Sequence, residues 1–203
     1  MNNFDNAALT WDENPVHLER SKAIALKMHE KLPLSRDMKA LEYGAGTGIL
    51  SFLLSDFLNH ITMMDSSEGM VKVMENKVSG RNAHNLLPVY FNLEQETSDK
   101  NFNLIFNQMV LHHITDIQAI FEKFYKMLLP RGYLAIADLY TEDGSFHGEG
   151  FDGHMGFDPE ELKLSLLKTG FSAVNYETCY TVVRKVTETV NRSYPIFLIT
   201  ASK

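Results

Sequence analysis

Leu41-Glu42-Tyr43-Gly44-Ala45-Gly46-Thr47-Gly48 is the stretch on which the fold turns, an apolar run that ends in glycine at every second position. Glycine carries no Cβ, so a strand running into such a turn brings backbone close to a ligand. Before it, Met38-Lys39-Ala40-Leu41 suits a buried strand; after it, Ile49-Leu50-Ser51-Phe52-Leu53-Leu54 suits a helix that starts as the glycines end. Strand, glycine turn and helix make a nucleotide-binding βα unit. The dinucleotide fingerprint G-x-G-x-x-G needs glycine where Ile49 stands, and here the third glycine comes one residue early, which weakens an NAD reading. Three glycines alone also close a tight turn with no ligand, so the following units carry the decision.

Those units repeat the alternation. Apolar His60 to Met64 ends at Asp65, and a helix from Ser67 to about Ser79 follows. Leu86 to Phe91 reads as a third strand and Phe102 to Asn107 as a fourth, and a helix from Ile117 to Leu129 is closed by Pro130-Arg131-Gly132. Gly132 to Leu139 is near-continuously apolar, as in a central parallel strand covered on both faces. A loop from Thr141 to Phe157, dense in Gly, Asp, Glu and His, precedes a helix over Asp158 to Thr169. Phe171 to about Val183 and Tyr194 to Ala201 are β-like with no helix between them, which predicts a closing antiparallel pair. At the other end, Pro15 to Lys31 predicts a helix that Pro33 closes.

A chain of 203 residues, 44% hydrophobic and 22% charged, is long enough to bury one substantial core and fits a single domain. A net charge of −7 disfavours an extended basic surface for phosphate backbones, so nucleic acid is not the expected partner. The lone Cys179 excludes an intrachain disulfide, and Met1-Asn2-Asn3-Phe4-Asp5 lacks the basic and apolar regions of a signal peptide. A reducing cytoplasm is the expected location, and no apolar run approaches membrane-spanning length.

Glu42, one spacer and the glycines at 44, 46 and 48 resemble motif I of the class I S-adenosylmethionine (SAM)-dependent methyltransferases, in which an acidic residue precedes G-x-G-x-G. The resemblance spans about Leu34 to Lys203 and implies an α/β fold. That fold is a Rossmann-like, seven-stranded, doubly wound sheet with a C-terminal antiparallel hairpin and helices on both faces. Residues 1–33 are then an N-terminal helical cap over the active site, and 34–203 the methyltransferase domain. It also implies SAM as cofactor and S-adenosylhomocysteine (SAH) as product. Gly44, Ala45, Gly46 and Gly48 would form the cradle, with Glu42 near the methionine amino group. Glu42 has a second reading as a dipole partner for the next helix. Asp65, at the end of the second strand, matches the ribose acid, although it also suits a cap for the helix opening at Ser66-Ser67. Ser66 and Met70 match the family's continuation, in which Met70 packs on adenine; a lone methionine is as readily core. After the third strand the family commonly places an aspartate, whereas this chain reads Asn92-Leu93. Asn92 can accept from the adenine amino group through its amide oxygen, or serve as a turn residue. Asn107 closes the fourth strand beside the site.

Leu111-His112-His113 resembles the family's strand-to-Leu-His-His segment rather than the Asn/Asp-Pro-Pro-aromatic tetrapeptide of nucleobase and glutamine N-methyltransferases. Nucleobase methylation is therefore disfavoured, and a small-molecule acceptor with O, S, C or N as its methylated atom is expected. His112, His147 and His154, with Tyr140, are the candidate bases for an acceptor that must lose a proton; loop histidines are also often merely solvated. Four imidazoles at 112, 113, 147 and 154 suggest a metal, but adjacent residues rarely point at one ion and no established spacing is present, so none is expected. Two other functions fit the same residues, a noncatalytic SAM-binding module and, further off, an NAD-dependent oxidoreductase. The oligomeric state is not legible.

Overall fold

The structure, a computed structural model, describes residues 3–187 and 189–203, so the first two residues of the expected cap lie outside it. Five parallel strands follow one another with helices between all but one pair, namely β1 (Lys39–Tyr43), α3 (Ile49–Leu54), β2 (His60–Asp65), α4 (Glu68–Arg81), β3 (Leu86–Tyr90), β4 (Phe102–Gln108), α5 (Ile117–Met127) and β5 (Leu128–Leu139); β3 and β4 are joined by an irregular loop, where the alternation breaks. Ahead of them stand α1 (Asn3–Ala7), a 3-10 turn (Ala8–Glu13) and α2 (Pro15–Lys31); behind them come α6 (Pro159–Thr169), β6 (Ser172–Lys185) and β7 (Asn191–Ser202). The strand order is β3-β2-β1-β4-β5-β7-β6. β7 runs antiparallel to both β5 and β6, so the closing hairpin is inserted as predicted.

Two cores, one on each face, hold the sheet. Ile24 and Met28 of α2, Leu50 and Leu54 of α3 and Met74 of α4 pack on one face against Ile61, Phe106 and Ala135. Phe121 and Phe124 of α5 and Leu162 and Leu166 of α6 pack on the other against Leu41, Ile105 and Phe197. Burying one such side chain stabilises the chain by roughly 1.5–3 kcal/mol, so both faces must be covered. The helices start where side chains accept the first free N–H groups: Asn14 for α2, Ser67 for α4, Asp116 for α5 and Asp158 for α6.

Three boundaries differ from expectation. α5 stops at Met127, and Leu128 already pairs with Phe102 in β5, with a register shift before Leu104 pairs Tyr133. Pro130-Arg131-Gly132 is thus a bulge within a strand rather than a helix stop, with Arg131 at φ 66°. β5 is parallel only to β4, because its other neighbour is the antiparallel β7. The first fourteen residues, with no periodicity, form α1 and the 3-10 turn.

The topology places the C-terminal ends of β1, β2, β4 and β5 along one edge, and the order reverses between β1 and β4. In open α/β sheets ligands bind in the crevice at such a reversal.

Candidate functional site

The glycine turn leaves β1 at that reversal and opens α3, with Gly44, Gly46 and Gly48 at φ 66°, 57° and 79°. Two of these glycines do different work. A Cβ on Gly44 would stand 2.5 Å from a Val110 methyl, so Gly44 lets the turn pack on the segment after β4. A Cβ on Gly46 would meet nothing within 4 Å, so the space in front of it is open. Ala45, buried, anchors the turn by donating its N–H to the Met64 carbonyl at 3.0 Å.

Asp65 joins the turn to the next helix. Its Oδ2 accepts from Gly46 N at 2.7 Å and its Oδ1 from Ser67 N at 2.9 Å. The helix cap itself is Ser67, whose hydroxyl accepts from Met70 N, so capping does not occupy Asp65. Desolvation raises the Asp65 pKa above the ordinary carboxylate value, opposed by the N–H groups it accepts.

Glu42 is fully buried in β1. Its Oε2 accepts from the N–H and hydroxyl of Ser51 in α3, while its Oε1 finds no partner among the described residues. One oxygen thus serves the helix, as the second sequence reading expects, and the other is left over. Desolvation pushes its pKa up to about 8. At the end of β4, Asn107 is buried with both amide atoms unpartnered among the described residues. Buried polar atoms with no partner cost about 1–3 kcal/mol each, and such a concentration beside an open glycine turn points to a ligand.

The remaining predicted residues divide. Ser66 is exposed at the mouth of the crevice, and Met70 is buried. Asn92 behaves as the turn residue: its Oδ1 accepts from Glu94 N and its carbonyl from Gln95 N and Glu96 N. Leu93 is fully buried in the core of the second face.

The N-terminal segment crosses this edge. Asp5 accepts from Ser67 Oγ and Gly69 N, and Asp12 accepts from Thr47 Oγ and from Lys77 Nζ. From α2, Ser21 donates to Gln108 Oε1 at 3.0 Å. Arg20, one residue earlier, is buried with its Nε unpartnered among the described residues, and desolvation lowers its pKa to about 10 against the pull of Asp138.

Beyond β4 the chain turns sharply at Met109, a non-glycine at φ 55°, and forms one 3-10 turn over Leu111–His113. This turn hangs on Asp138, the fully buried end of β5. The Asp138 carboxylate accepts from Leu111 N at 2.9 Å, Leu139 N at 2.8 Å and His112 Nδ1 at 2.6 Å. The acidic partner makes Nδ1 the donor of this bond and leaves Nε2 as the ring nitrogen that Asp138 does not engage. The 141–157 loop closes on itself, Thr141 N to Phe157 O and Glu142 N to Met155 O, and carries His147 to within 4.9 Å of the His112 ring centre. Phe151 stacks on His147 at 3.9 Å. His154 goes elsewhere: its Nε2 bonds the Ile114 carbonyl at 3.0 Å and its N–H the His112 carbonyl. Tyr140 bonds Thr178, outside the imidazole group.

Adjacent His112 and His113, carried on a 3-10 turn, come together with His147 so that one ligand nitrogen of each lies within 4.8 Å of the others, a grouping of which their sequence spacing gave no sign. Asp138, the penultimate residue of the Gly132 to Leu139 run, is the group that organises them; a lone acid inside that eight-residue apolar run was the available signal. Desolvation holds both His113 and His147 down at about pKa 4, with neighbouring imidazoles contributing. An open groove of about 770 Å³ lies between this loop and the β6–β7 hairpin, lined by His147, Phe151, Arg184 and Arg192.

Comparison with known proteins converges on one class. Residues 41–136 match a family described as a methyltransferase domain. An uncharacterized methyltransferase of Schizosaccharomyces pombe is 30% identical over 148 residues, covering 64% of this chain and 52% of the relative. A demethylmenaquinone methyltransferase of Listeria monocytogenes is 27% identical, covering 62% and 58%. The chain thus spans about half the length of the curated relatives it matches. Among solved structures, the methyltransferase bound to the Trm112 activator of Haloferax volcanii aligns with TM-score 0.80 at 14% identity, over 100% of this chain and 98% of that one. A Haemonchus contortus phosphoethanolamine N-methyltransferase holding SAH aligns at 0.72 and 16%, over 90% and 52%. At such identities these structures establish the fold alone.

Proposed function

We propose, from its similarity to the methyltransferase-domain family over residues 41–136, that this chain is a class I SAM-dependent methyltransferase that transfers the methyl of SAM to a small-molecule acceptor by direct in-line displacement. The observation that carries the proposal is the pair of buried, unpartnered polar groups at the sheet reversal, Glu42 Oε1 and the Asn107 amide, beside the open space at Gly46. A ligand with an ammonium and polar edges satisfies them. Bound there, the cofactor supplies a methyl already activated by sulfonium charge. The chain's own part is placement: Glu42 holds the ammonium, Asp65 at the mouth accepts from ribose hydroxyls, and Gly44 to Gly48 lie under the ligand. Ser66, Met70, Asn92 and Leu93 have weaker parts, since Met70 and Leu93 are buried and the Asn92 oxygen is engaged by Glu94.

On the acceptor side, residues 3–31 cap the crevice, and the imidazoles of His112 and His147 lie 4.9 Å apart between ring centres. Holding the acceptor in line contributes on the order of several kcal/mol without any covalent nucleophile. The relatives whose names state an acceptor act on phosphoethanolamine or demethylmenaquinone, which supports a small molecule. No helix among the described residues is long and apolar enough to cross a membrane, and the unreactive Cys179, pushed up to about 12 by burial, suits a reducing cytoplasm.

Incubation with methyl-labelled SAM and a cell extract split into small and macromolecular fractions tests the reading. Label in the small fraction is expected; label in protein or nucleic acid would reject the acceptor class. Bound cofactor with no label in either would favour a noncatalytic module.

Glu42 gives a pH signature. Its folded pKa is raised, so the native chain holds a proton that the unfolded chain releases, and stability falls as pH rises from about 4.5 to about 8. Glu42→Gln should flatten that part of the stability–pH curve in thermal unfolding. An ammonium beside the carboxylate favours its ionised form, so SAH binding near neutral pH should release protons in the wild type and not in Glu42→Gln. Equal proton release in both, measured by calorimetry in buffers of different ionisation enthalpy, would take Glu42 out of the ammonium site.

A further inference from the structure

We propose that His112, His113 and His147 form a binding site for one divalent transition-metal ion. Their ring centres stand 4.2, 4.9 and 5.5 Å apart, and one nitrogen from each lies within 4.8 Å of the others. Zinc bound by imidazoles at about 2.0–2.1 Å needs its ligand nitrogens roughly 3.4 Å apart, so closure takes a shift of about 1 Å. His147, on the loop, is the ring able to supply it.

The surroundings carry further marks of a metal site. His112 Nδ1 donates to Asp138 at 2.6 Å, leaving Nε2 for the ion in the carboxylate–histidine–metal relation that orients ligating imidazoles. Asp138 is itself fixed by the N–H groups of Leu111 and Leu139. Phe151 packs face-on to His147 and edge-on to His113, which shields the rings from water on one side. Gly153 permits this: a Cβ there would stand 2.3 Å from the His112 carbonyl, so only glycine lets the loop lie against the 3-10 turn.

The charged neighbours decide which ion. Arg184 and Asp138 both act on His147, and Asp138 and Asp152 act on His113, so the rings sit among charges of both signs and supply no carboxylate ligand themselves. Hard ions that depend on carboxylate charge, such as Mg²⁺ and Ca²⁺, are therefore disfavoured, while three neutral nitrogens suit Zn²⁺, Co²⁺ or Ni²⁺. Three ligands leave a coordination position for an oxygen or sulfur of the acceptor, a role that rests on the methyl-transfer reading; the metal site does not.

Co²⁺ titration of the chelator-treated full chain tests the site directly. One ion per chain is expected, with the intense visible absorption of four-coordinate Co²⁺, displaced by Zn²⁺. His113→Ala and His147→Ala should each weaken it by more than about tenfold and together abolish it, with unchanged SAH affinity reporting that the variants are folded. No stoichiometric Co²⁺ complex, or an affinity unmoved in the double variant, overturns the site whatever SAH does. In the unsubstituted chain, absent SAH binding beside a stoichiometric Co²⁺ complex that the double variant loses would overturn the cofactor reading and leave this one standing. Label transfer should stop in the metal-free protein and return with Zn²⁺; transfer that persists without metal overturns the acceptor role.

Discussion

Gly46→Val is expected to remove SAH and SAM binding, raising Kd by more than about a hundredfold, in a chain that still folds. The reason is geometric. Beyond its chain neighbours, nothing among the described residues stands within 4 Å of a Cβ at Gly46, so the valine methyls enter the space assigned to the ligand rather than the core. The φ of 57° adds a cost of about 1–2 kcal/mol in stability, because a β-branched residue adopts the left-handed region poorly. A hundredfold loss corresponds to about 2.7 kcal/mol of binding energy. Gly44→Ala is the contrasting control: its Cβ would press on Val110 at 2.5 Å, so it should lower stability first and binding only as a consequence. Isothermal calorimetry with SAH and urea unfolding of both variants separate the two effects. Near-normal SAH affinity in a folded Gly46→Val would displace the cradle from this turn.

The difference between those two glycines was invisible in the sequence, although the turn itself was plain. Alternate glycines after an apolar run constrain backbone locally, and local constraints are what a sequence displays. Helix α2 was legible from Pro15 to Lys31 for the same reason, with Asn14 as cap and Pro15 in its first turn. The closing β6–β7 pair was legible because two β-like runs had no helix pattern between them. What failed to show depends on contacts distant in sequence. α1 and the 3-10 turn are too short to carry a period, and Asp5 and Asp12 hold them by bonds to Ser67 and Lys77, more than sixty positions away. The α5–β5 boundary slid because Leu128-Leu129 is equally apolar as helix end or strand start, and only pairing with Phe102 decides. His112 and His147 meet because a loop folds back on a 3-10 turn, and His154 of the same loop is drawn instead to the Ile114 carbonyl.

Asp138→Ala is expected to cost about 3–5 kcal/mol in urea unfolding, a large share of the roughly 5–15 kcal/mol that holds a typical chain folded. The carboxylate is wholly buried and serves as the common acceptor for Leu111 N, Leu139 N and His112 Nδ1, so its removal strands three donors where water does not reach them. Each stranded group costs about 1–3 kcal/mol, and the sum is less than additive because the 3-10 turn relaxes. Arg20 also loses the charge that opposes its desolvation. Asp138→Asn separates scaffold from chemistry. Its amide oxygen can still accept from Leu111 N, but its NH₂ then faces His112 Nδ1, and the imidazole must move its proton to Nε2. That variant should keep most of the stability, yet bind Co²⁺ about 10–100-fold more weakly, because the ligand atom now carries a proton. A stability loss below about 1 kcal/mol in Asp138→Ala would mean that the 3-10 turn is held by Val110 and the core beneath it, and that the buried carboxylate is an accessory to the histidines rather than their support.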